Sequence, residues 1–240
     1  MSTTKATDTV MPTAQESGRH NPMRPPATSP RTAAQALGVF WSHPSPLIIA
    51  MGVIAVASMR WQAGPMGWLD AALVLAVWAA FPFNEWLIHV FILHYRPRQF
   101  MGRTLDFYLP KTHRRHHADP WNLDWVFVPR HVHALVFVFV GVVLYFAGTW
   151  RAPLLTALGT YLLFGLNYEW VHYLTHITWC PPLAYYQRLV LAHRHHHFRN
   201  ENYWWGVSRV LGDRVLGTAP EAKEVARSGT NRDLGLTQLD

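Results

Sequence analysis

Ten of the fifteen histidines in this chain fall into four closely spaced groups. Two groups have the pattern H-x-x-H-H, one has H-x-x-x-H and one has H-x-x-x-x-H. Imidazole is a common metal ligand. A single histidine is more often an ordinary polar residue than a ligand, but four groups together predict metal ligation. The ten candidate ligands are His89, His94, His113, His116, His117, His172, His176, His193, His196 and His197.

Helical geometry explains most of this spacing. At about 100° per residue, His172 and His176 lie about 40° apart and share one helix face. In each H-x-x-H-H group the three histidines span about 100° if the segment is helical. His89 and His94 are about 140° apart, so they can bind one metal only if the helix ends or distorts between them. The sequence "YRP" follows directly, and a proline disfavours helix at the residue before it, so His94 is expected in a frayed last turn.

The number and type of ligands indicate the metal. Ten imidazoles exceed one coordination sphere, so two ions are expected. Cys180 is the single cysteine, which excludes a cysteine metal cluster. All-nitrogen sites suit zinc, copper, iron or nickel, and an open pair of imidazole-rich sites suits dioxygen chemistry by iron better than a structural zinc. Zinc, which binds such ligands more tightly than ferrous iron, is the alternative metal in purified samples.

The other five histidines are not expected to be ligands. His195 points about 200° away from His193 and is expected at the surface or behind the ligands. His131 and His133 open an apolar stretch and are expected at the membrane interface, whereas His20 and His43 have no spaced partner.

A few acidic residues lie near the candidate ligands. Glu85 and Glu169 precede a helix histidine by four and three residues, so either carboxylate could accept the distal N–H of an imidazole. The competing interpretation is that they make polar contacts between helices. Asp119, Asp124 and Asp213 are weaker candidates for the same role.

Four apolar stretches place the histidines next to a membrane. Residues 46–59, 67–95, 132–150 and 153–177 are apolar, and only 15% of the chain is charged. Nineteen lysines and arginines fall on one side of a four-span topology, and two, Arg60 and Arg151, fall on the other. The positive-inside rule then puts both termini and the middle loop in the cytoplasm. The net charge of +7 is thereby explained by topology, so no nucleic-acid partner is expected.

The second and fourth stretches are longer than a membrane requires. As helices they would extend about 43 Å and 37 Å, against a hydrocarbon core of about 30 Å. The excess at their cytoplasmic ends carries histidines. The sequence therefore predicts an all-α integral membrane protein with about four transmembrane helices and a cytoplasmic histidine-rich helical cap. Aromatic residues that could anchor the membrane interface, or shape an entrance from the membrane, are Trp121, Trp125, Tyr203, Trp204 and Trp205.

The histidine order and its surroundings resemble the membrane fatty acid hydroxylase and sterol desaturase superfamily. The segments that carry the resemblance are "NEWLIHVFILH", "HRRHHADPWNLDWVFVP", "YEWVHYLTH", "AHRHHHF" and "NYWWGVSRVLGDRVLGT", within residues 80–218. The resemblance implies two non-haem irons that use dioxygen and external electrons to hydroxylate a C–H bond of a lipid. It also implies one ion on His89, His94, His113, His117 and His196, and the other on His116, His172, His176, His193 and His197.

Composition, charge distribution and the resemblance together set the expected organisation and partners. Residues 1–38 are expected to be a disordered cytoplasmic tail, 39–218 a membrane hydroxylase-like domain, and 219–240 a flexible C-terminal tail. Nothing resembles a haem-binding donor domain, so a separate reductase or electron carrier is expected to deliver electrons. The expected location is a bacterial inner membrane, with a membrane lipid as substrate.

Other functions stay open from the sequence. A desaturase, or another lipid oxidation on the same di-iron site, would carry the same motifs. A membrane metal transporter should place its ligands near mid-membrane, whereas these lie at one end of the spans. A haem electron carrier would need facing axial histidines and would leave the two H-x-x-H-H groups unexplained.

Overall fold

The computed structural model describes residues 24–236, and this part of the chain is mostly helical. A short antiparallel hairpin, β1 (Arg98–Phe100) and β2 (Arg103–Leu105), is an addition to the all-α prediction. Its two-residue turn has positive φ at Met101 (49°) and Gly102 (73°), as hairpin turns of this length favour. The helices are α1 (Ala33–Ser42), α2 (Pro44–Gln62), α3 (Trp68–Leu87), α4 (Tyr108–Ala118), α5 (Arg130–Phe146), α6 (Arg151–Thr175), α7 (Ala184–Phe198) and α8 (Leu211–Val215).

Three helical segments within residues 24–236 are long and apolar enough to cross a membrane. They are Pro44–Gln62, Trp68–Leu93 and Leu123–Phe146. The fourth expected span, α6, has 25 residues but does not meet the same criterion of apolarity. Its polar residues Glu169, His172 and Thr175 lower its mean hydropathy, and all three are buried inside the protein. The chain is therefore a membrane protein, and the number of four spans stays a prediction.

Helix α6 is the centre of the bundle and packs against α2, α3 and α7. Ile49 and Val56 of α2 meet Leu155 and Leu162 of α6 in an apolar seam. At Gly52 of α2, an added Cβ would lie 3.1 Å from the ring of Phe137 on α5, so glycine permits close approach of these helices. By contrast α5 has no fully buried residue, and most of its apolar side chains face outward, as expected for a helix in contact with lipid.

The predicted boundary of the disordered tail at residue 38 is wrong, because a helix begins before it. Residues 1–23, with His20, lie outside the described residues, but α1 begins at Ala33, inside the segment expected to be disordered. Thr32 accepts a hydrogen bond from Gln35 N, and the Gln35 side chain accepts one from Arg31 N, which is a capping arrangement that starts the helix. Ala36 is fully buried. This capping pattern, T-x-x-Q, is visible in the sequence.

A buried polar cluster joins three helices at the end of the bundle away from the histidines. The Arg60 guanidinium of α2 donates to the Asp70 carboxylate of α3 and to the Thr156 hydroxyl of α6, at 2.8–3.0 Å. It also donates to the carbonyls of Gly64 and Pro65 in the α2–α3 connection. About 19 residues separate Asp70 from the first histidine ligand along α3, or roughly 28 Å of helix.

The segment after α8 is ordered, which corrects the prediction of a flexible C-terminal tail for its described part. We call residues 225–236 the C-terminal strap. Val225 and Leu234 are buried, and Ser228 N–H donates to the carbonyl of Arg199 at 2.8 Å. The order comes from contacts with distant parts of the chain, which its polar composition does not indicate. Residues 237–240 lie outside the described residues.

Candidate metal centre

All ten predicted ligands converge at one end of the bundle, in two groups of five. Within each group, one ring nitrogen of every histidine lies within 4.8 Å of the others. The membership of both groups is the same as that implied by the family resemblance. One group, group one, consists of His89, His94, His113, His117 and His196, and the other, group two, consists of His116, His172, His176, His193 and His197.

The helices divide the ligands between the groups. Group one takes His89 and His94 from the segment that directly follows α3, and group two takes His172 from the last turn of α6 and His176 from directly after it. Helices α4 and α7 contribute to both groups, because adjacent histidines in each H-x-x-H-H segment point to different groups. His116 and His117 are separated in this way on α4, as are His196 and His197 on α7.

A π-helical turn brings His89 and His94 together. Helix α3 continues as a π-helix over Ile88–Leu93, and His94 N–H donates to the His89 carbonyl at 3.0 Å, an i→i+5 bond. The wider turn offsets the 140° separation that a regular α-helix would impose. The sequence-based condition that the helix distorts between these two ligands is therefore confirmed, and His94 ends the helix.

Four of the imidazoles are oriented by backbone carbonyls. A carbonyl oxygen only accepts, so Nδ1 of each ring carries the proton and a neutral ring keeps an unprotonated Nε2. These Nε2 lone pairs point toward the group centres. The four bonds are His89 to Trp205 O (2.6 Å), His117 to Asn231 O (2.9 Å), His172 to Val126 O (2.9 Å) and His196 to Tyr203 O (2.8 Å).

The spacing of the Nε2 atoms fits a coordination sphere. Two nitrogens bound at about 2.1 Å from one metal ion and at right angles to each other lie about 3 Å apart. A neutral pair of rings at this distance can share a proton, but five imidazole nitrogens that converge within 4.8 Å form a donor set that fits one metal ion in each group. The closest Nε2–Nε2 distances are His89–His113 (3.1 Å), His113–His117 (3.2 Å) and His94–His196 (3.2 Å) in group one, and His116–His172 (3.2 Å) and His193–His197 (3.1 Å) in group two.

Burial keeps the group histidines of α4 and α7, which we call the cap histidines, neutral, as metal binding requires. Desolvation lowers the pKa of His117 to about 3. The same cause, assisted by neighbouring imidazoles, holds the pKa of the other cap histidines well below the usual range. These are His113 and His116 on α4, and His193, His196 and His197 on α7.

Glu85 and Glu169 do not hold the imidazoles directly, contrary to one of the two sequence-based interpretations. The Glu85 carboxylate accepts from Ser208 N–H at 3.1 Å, and the Glu169 carboxylate accepts from Val128 N–H at 3.0 Å. Glu169 also accepts from the Ser45 hydroxyl of α2, which favours the interpretation as a contact between helices. Each carboxylate thus fixes a loop by accepting a hydrogen bond from one backbone N–H of that loop.

Asp213 holds the same loop as Glu85. Its carboxylate accepts from Trp205 N–H at 2.9 Å and Gly206 N–H at 2.7 Å. A Cβ at position 206 would collide with the carbonyl of Arg209, so the loop requires glycine there. Of the other two acids, Asp124 lines a cavity described below, and Asp119 ends α4.

The four other histidines within residues 24–236 lie outside the two groups. His195 packs beside Trp204, with ring centroids 5.2 Å apart, in agreement with its predicted place behind the ligands. His133 shares a 2.8 Å hydrogen bond with Ser45, and His43 stacks on Phe127 at 4.2 Å. His131 meets the ring of Tyr108 edge-on.

The predicted entrance aromatics are mostly interior. Trp121, Trp204 and Trp205 are buried, and Trp121 stacks on Phe198 next to the ligands. Tyr203 and Trp205 contribute carbonyls that orient His196 and His89. Sequence reasoning missed these carbonyl partners, because any residue type can supply a backbone acceptor.

A cavity of about 140 Å³ reaches both groups. His113 of group one and His172 of group two lie in its wall, and Trp125 is the one predicted entrance aromatic among its lining residues. Most of the remaining wall is apolar, with a few polar groups. The other lining residues are Leu93, Tyr108, Leu109, Thr112, Asp124, Val126, Phe127, Val128, Pro129 and Tyr168.

Comparison with known proteins identifies the family. A family model described as fatty acid hydroxylase matches residues 74–218, more than half of the chain and all ten ligands. A dihydroceramide fatty acyl 2-hydroxylase of Arabidopsis thaliana is 29% identical over 141 residues, 59% of this chain and 57% of that protein. A second one from the same plant is 26% identical over 190 residues, 79% of this chain and 77% of that protein.

The match therefore spans little more than half the length of the first of these relatives. No solved structure matches the chain. The family match and the named relatives confirm the superfamily that the histidine motifs indicated: this chain belongs to the fatty acid hydroxylase family.

Proposed function

We propose that this protein hydroxylates a C–H bond in the acyl part of a membrane lipid, with one iron ion in each histidine group. The observation that carries the proposal is the pair of five-histidine groups that share one apolar cavity. When bound, the two irons would supply activation of dioxygen with electrons from a separate donor. Group one would hold one ion and group two the other.

The protein's own residues position the lipid and exclude water. The cavity wall is formed largely by apolar side chains such as Leu93, Leu109 and Phe127, which suits an acyl chain. Its polar side chains, Thr112, Asp124 and Tyr168, would be available to a polar group of the lipid. A C–H bond placed between His113 and His172 would lie next to both ion sites.

The relatives suggest the substrate class. Both are named for 2-hydroxylation of the fatty acyl chain of dihydroceramide. We infer for this chain a lipid whose acyl group enters the cavity while its headgroup stays at the membrane surface. A site at one end of the spans, rather than in the middle, is consistent with that arrangement.

The basic residues support a cytoplasmic location for this end. In the inferred four-span topology both termini and the histidine cap face the cytoplasm of a bacterial inner membrane. A soluble reductase or other electron carrier could then reach the cap.

Lipid mass spectrometry tests the proposal. Cells that express the chain with iron and reductant supplied should contain a lipid heavier by one oxygen atom, and labelled dioxygen should provide that atom. His116→Ala, which removes a group-two ligand, should abolish the product. His195→Ala, in a matched position outside both groups, should retain it.

Other outcomes would contradict hydroxylation. A lipid that has lost two hydrogen atoms would identify a desaturase on the same site. Unchanged lipids in cells whose purified protein carries both metal ions would refute lipid oxidation by this chain.

A further inference from the structure

The C-terminal strap contacts one ligand from each histidine group, although it lies outside the residues matched by the family model. The Asn231 carbonyl accepts from Nδ1 of His117, a group-one ligand, at 2.9 Å. The side-chain amide of the same Asn231 donates to the carbonyl of His197, a group-two ligand, at 3.0 Å. Asn231 is thus hydrogen-bonded to both groups.

The strap is attached at the ends of the two helices that serve both groups. Arg232 donates to the carbonyl of Ala118, the last residue of α4, at 2.9 Å. Directly after α7, Arg199 donates to the carbonyl of Val225 at 2.8 Å. The strap therefore connects α4 and α7 at the ends that carry the ligands.

The turn that presents Asn231 is itself fixed. The Thr230 hydroxyl donates to Glu201, whose side chain is buried in the turn after α7. Leu234, 3% exposed, anchors the strap on the far side of Asn231, and its N–H donates to the Thr230 carbonyl at 2.7 Å. Contacts on both sides of Asn231 in the chain, at Thr230 and at Leu234, therefore hold its carbonyl in place.

We propose that the strap is part of the metal centre and that Asn231 is a positioning residue for His117. The proposal rests on the proposed function insofar as both groups bind metal. A partner on the outer nitrogen of a ligating histidine fixes the tautomer and the orientation of the ring. The other three such partners, Val126, Tyr203 and Trp205, lie within the family match, whereas Asn231 does not. The fourth partner, Asn231, comes from the strap, which follows the matched residues in the chain.

The hydrogen bond from the Asn231 side-chain amide to the His197 carbonyl holds the Asn231 backbone carbonyl in place against His117. Asn231→Ala removes the amide but leaves the backbone carbonyl, so it should loosen His117 without deleting a ligand. Complete loss of such an outer partner typically weakens metal binding by roughly 10–100-fold, so a partner that is kept but held less firmly should cost about 10-fold, at the lower end of this range. We expect this loss for the group-one ion, with the group-two ion less affected.

The test measures zinc binding to the purified full-length protein. In Asn231→Ala, one of the two zinc ions should bind about 10-fold more weakly, at the lower end of the loss caused by removal of a whole outer partner, and a chelator should remove it in a separate, faster phase. Asn231→Asp keeps the side-chain size but replaces the amide donor with a carboxylate, so it should behave like the alanine variant. Arg227→Ala, at an exposed position of the same strap, is the matched control and should resemble the unmodified protein. Helical content by circular dichroism should be equal in all four proteins.

Two results would overturn the proposal. One is equal zinc affinity and a single release phase in the Asn231 variants and the unmodified protein. The other is an equal weakening of both ions, which would indicate general loosening of the cap. If the unmodified protein binds two ions and oxidises lipid, either result refutes the strap alone. If it binds no metal at the histidine groups, both this proposal and the proposed function are wrong.

Discussion

Glu85 and Glu169 occupy equivalent places in the two halves of the metal centre. Glu85 holds Ser208 N–H, three residues after Trp205, whose carbonyl orients His89. Glu169 holds Val128 N–H, two residues after Val126, whose carbonyl orients His172. Each carboxylate lies one turn before the histidine that it influences, and it acts through a loop from elsewhere in the chain.

Removal of either carboxylate should affect one group more than the other. Glu85→Ala leaves the buried Ser208 N–H without its acceptor, which costs about 1–3 kcal/mol of stability, and it should weaken the group-one ion. Glu169→Ala should weaken the group-two ion. The measurements are thermal unfolding in detergent and metal content per chain.

The glutamine variants separate hydrogen bonding from charge. Glu85→Gln and Glu169→Gln keep an oxygen acceptor, so each should lose less stability than its alanine counterpart. Equal losses for Gln and Ala would show that the negative charge is what the protein requires. Glu224→Ala, at an exposed position, should change neither property.

At the scale of single residues, the sequence predicted which histidines converge but not what orients them. Spacing identified all ten histidines, because imidazoles that recur on one helix face are visible in the sequence. The carbonyls of Val126, Tyr203, Trp205 and Asn231 carry no such signal. Glu85 and Glu169 were found by their polarity within apolar helices, but their partners are backbone amides that only the fold brings near.

Helices α4 and α7 each hold ligands for both groups, so neighbouring positions have separate effects. His196→Ala removes a ligand from group one, and His197→Ala removes one from group two. Each variant should lose about one of two ions, but a different one. Zinc release by a chelator, combined with the Asn231→Ala substitution, distinguishes them.

The combination gives opposite expectations for the two variants. Asn231→Ala added to His197→Ala should weaken the ion that remains, because that ion lies in group one. Added to His196→Ala, it should have little further effect on the ion that remains in group two. The same response in both double variants would contradict the division into two groups.

Local patterns predicted some elements, while others depend on distant contacts. The four apolar stretches match α2, α3 with its π-helical turn, α5 and α6 to within four residues at each end. Helix α1 was missed although Thr32 and Gln35 form a recognisable capping pair. The strap could not be found in this way, because Val225 and Leu234 are isolated apolar residues in a polar segment and become buried only against the cap.

Across the whole molecule, polar contacts lie at both ends of an apolar bundle. The histidine cap occupies one end, and the cluster of Arg60, Asp70 and Thr156 occupies the other. The cluster joins α2, α3 and α6, the helices that carry four of the ten ligands between them. Its hydrogen bonds fix how these helices are arranged before they reach the cap.

The Asp70 carboxylate should therefore matter for stability but not for metal identity or number. Asp70→Ala leaves the buried Arg60 guanidinium without its ionic partner, so the midpoint of thermal unfolding should fall by several degrees. Metal content at low temperature should stay at the level of the unmodified protein. Lys223→Ala, which breaks the exposed pair with Glu221, is the control and should leave the midpoint unchanged. An unchanged midpoint in Asp70→Ala, or loss of metal from a folded sample, would contradict this role.

The π-helical turn of α3 has a consequence for chain length. His89 and His94 are separated by one residue more than His172 and His176, yet each pair serves a single group. The π-helical turn accommodates the additional residue. The part of α3 before this turn therefore stays a regular helix, with Phe81 and Glu85 on its buried face. An insertion or deletion of one residue between these two histidines can thus be confined to a single turn, whereas the same change earlier in α3 would rotate the histidines away from the buried face.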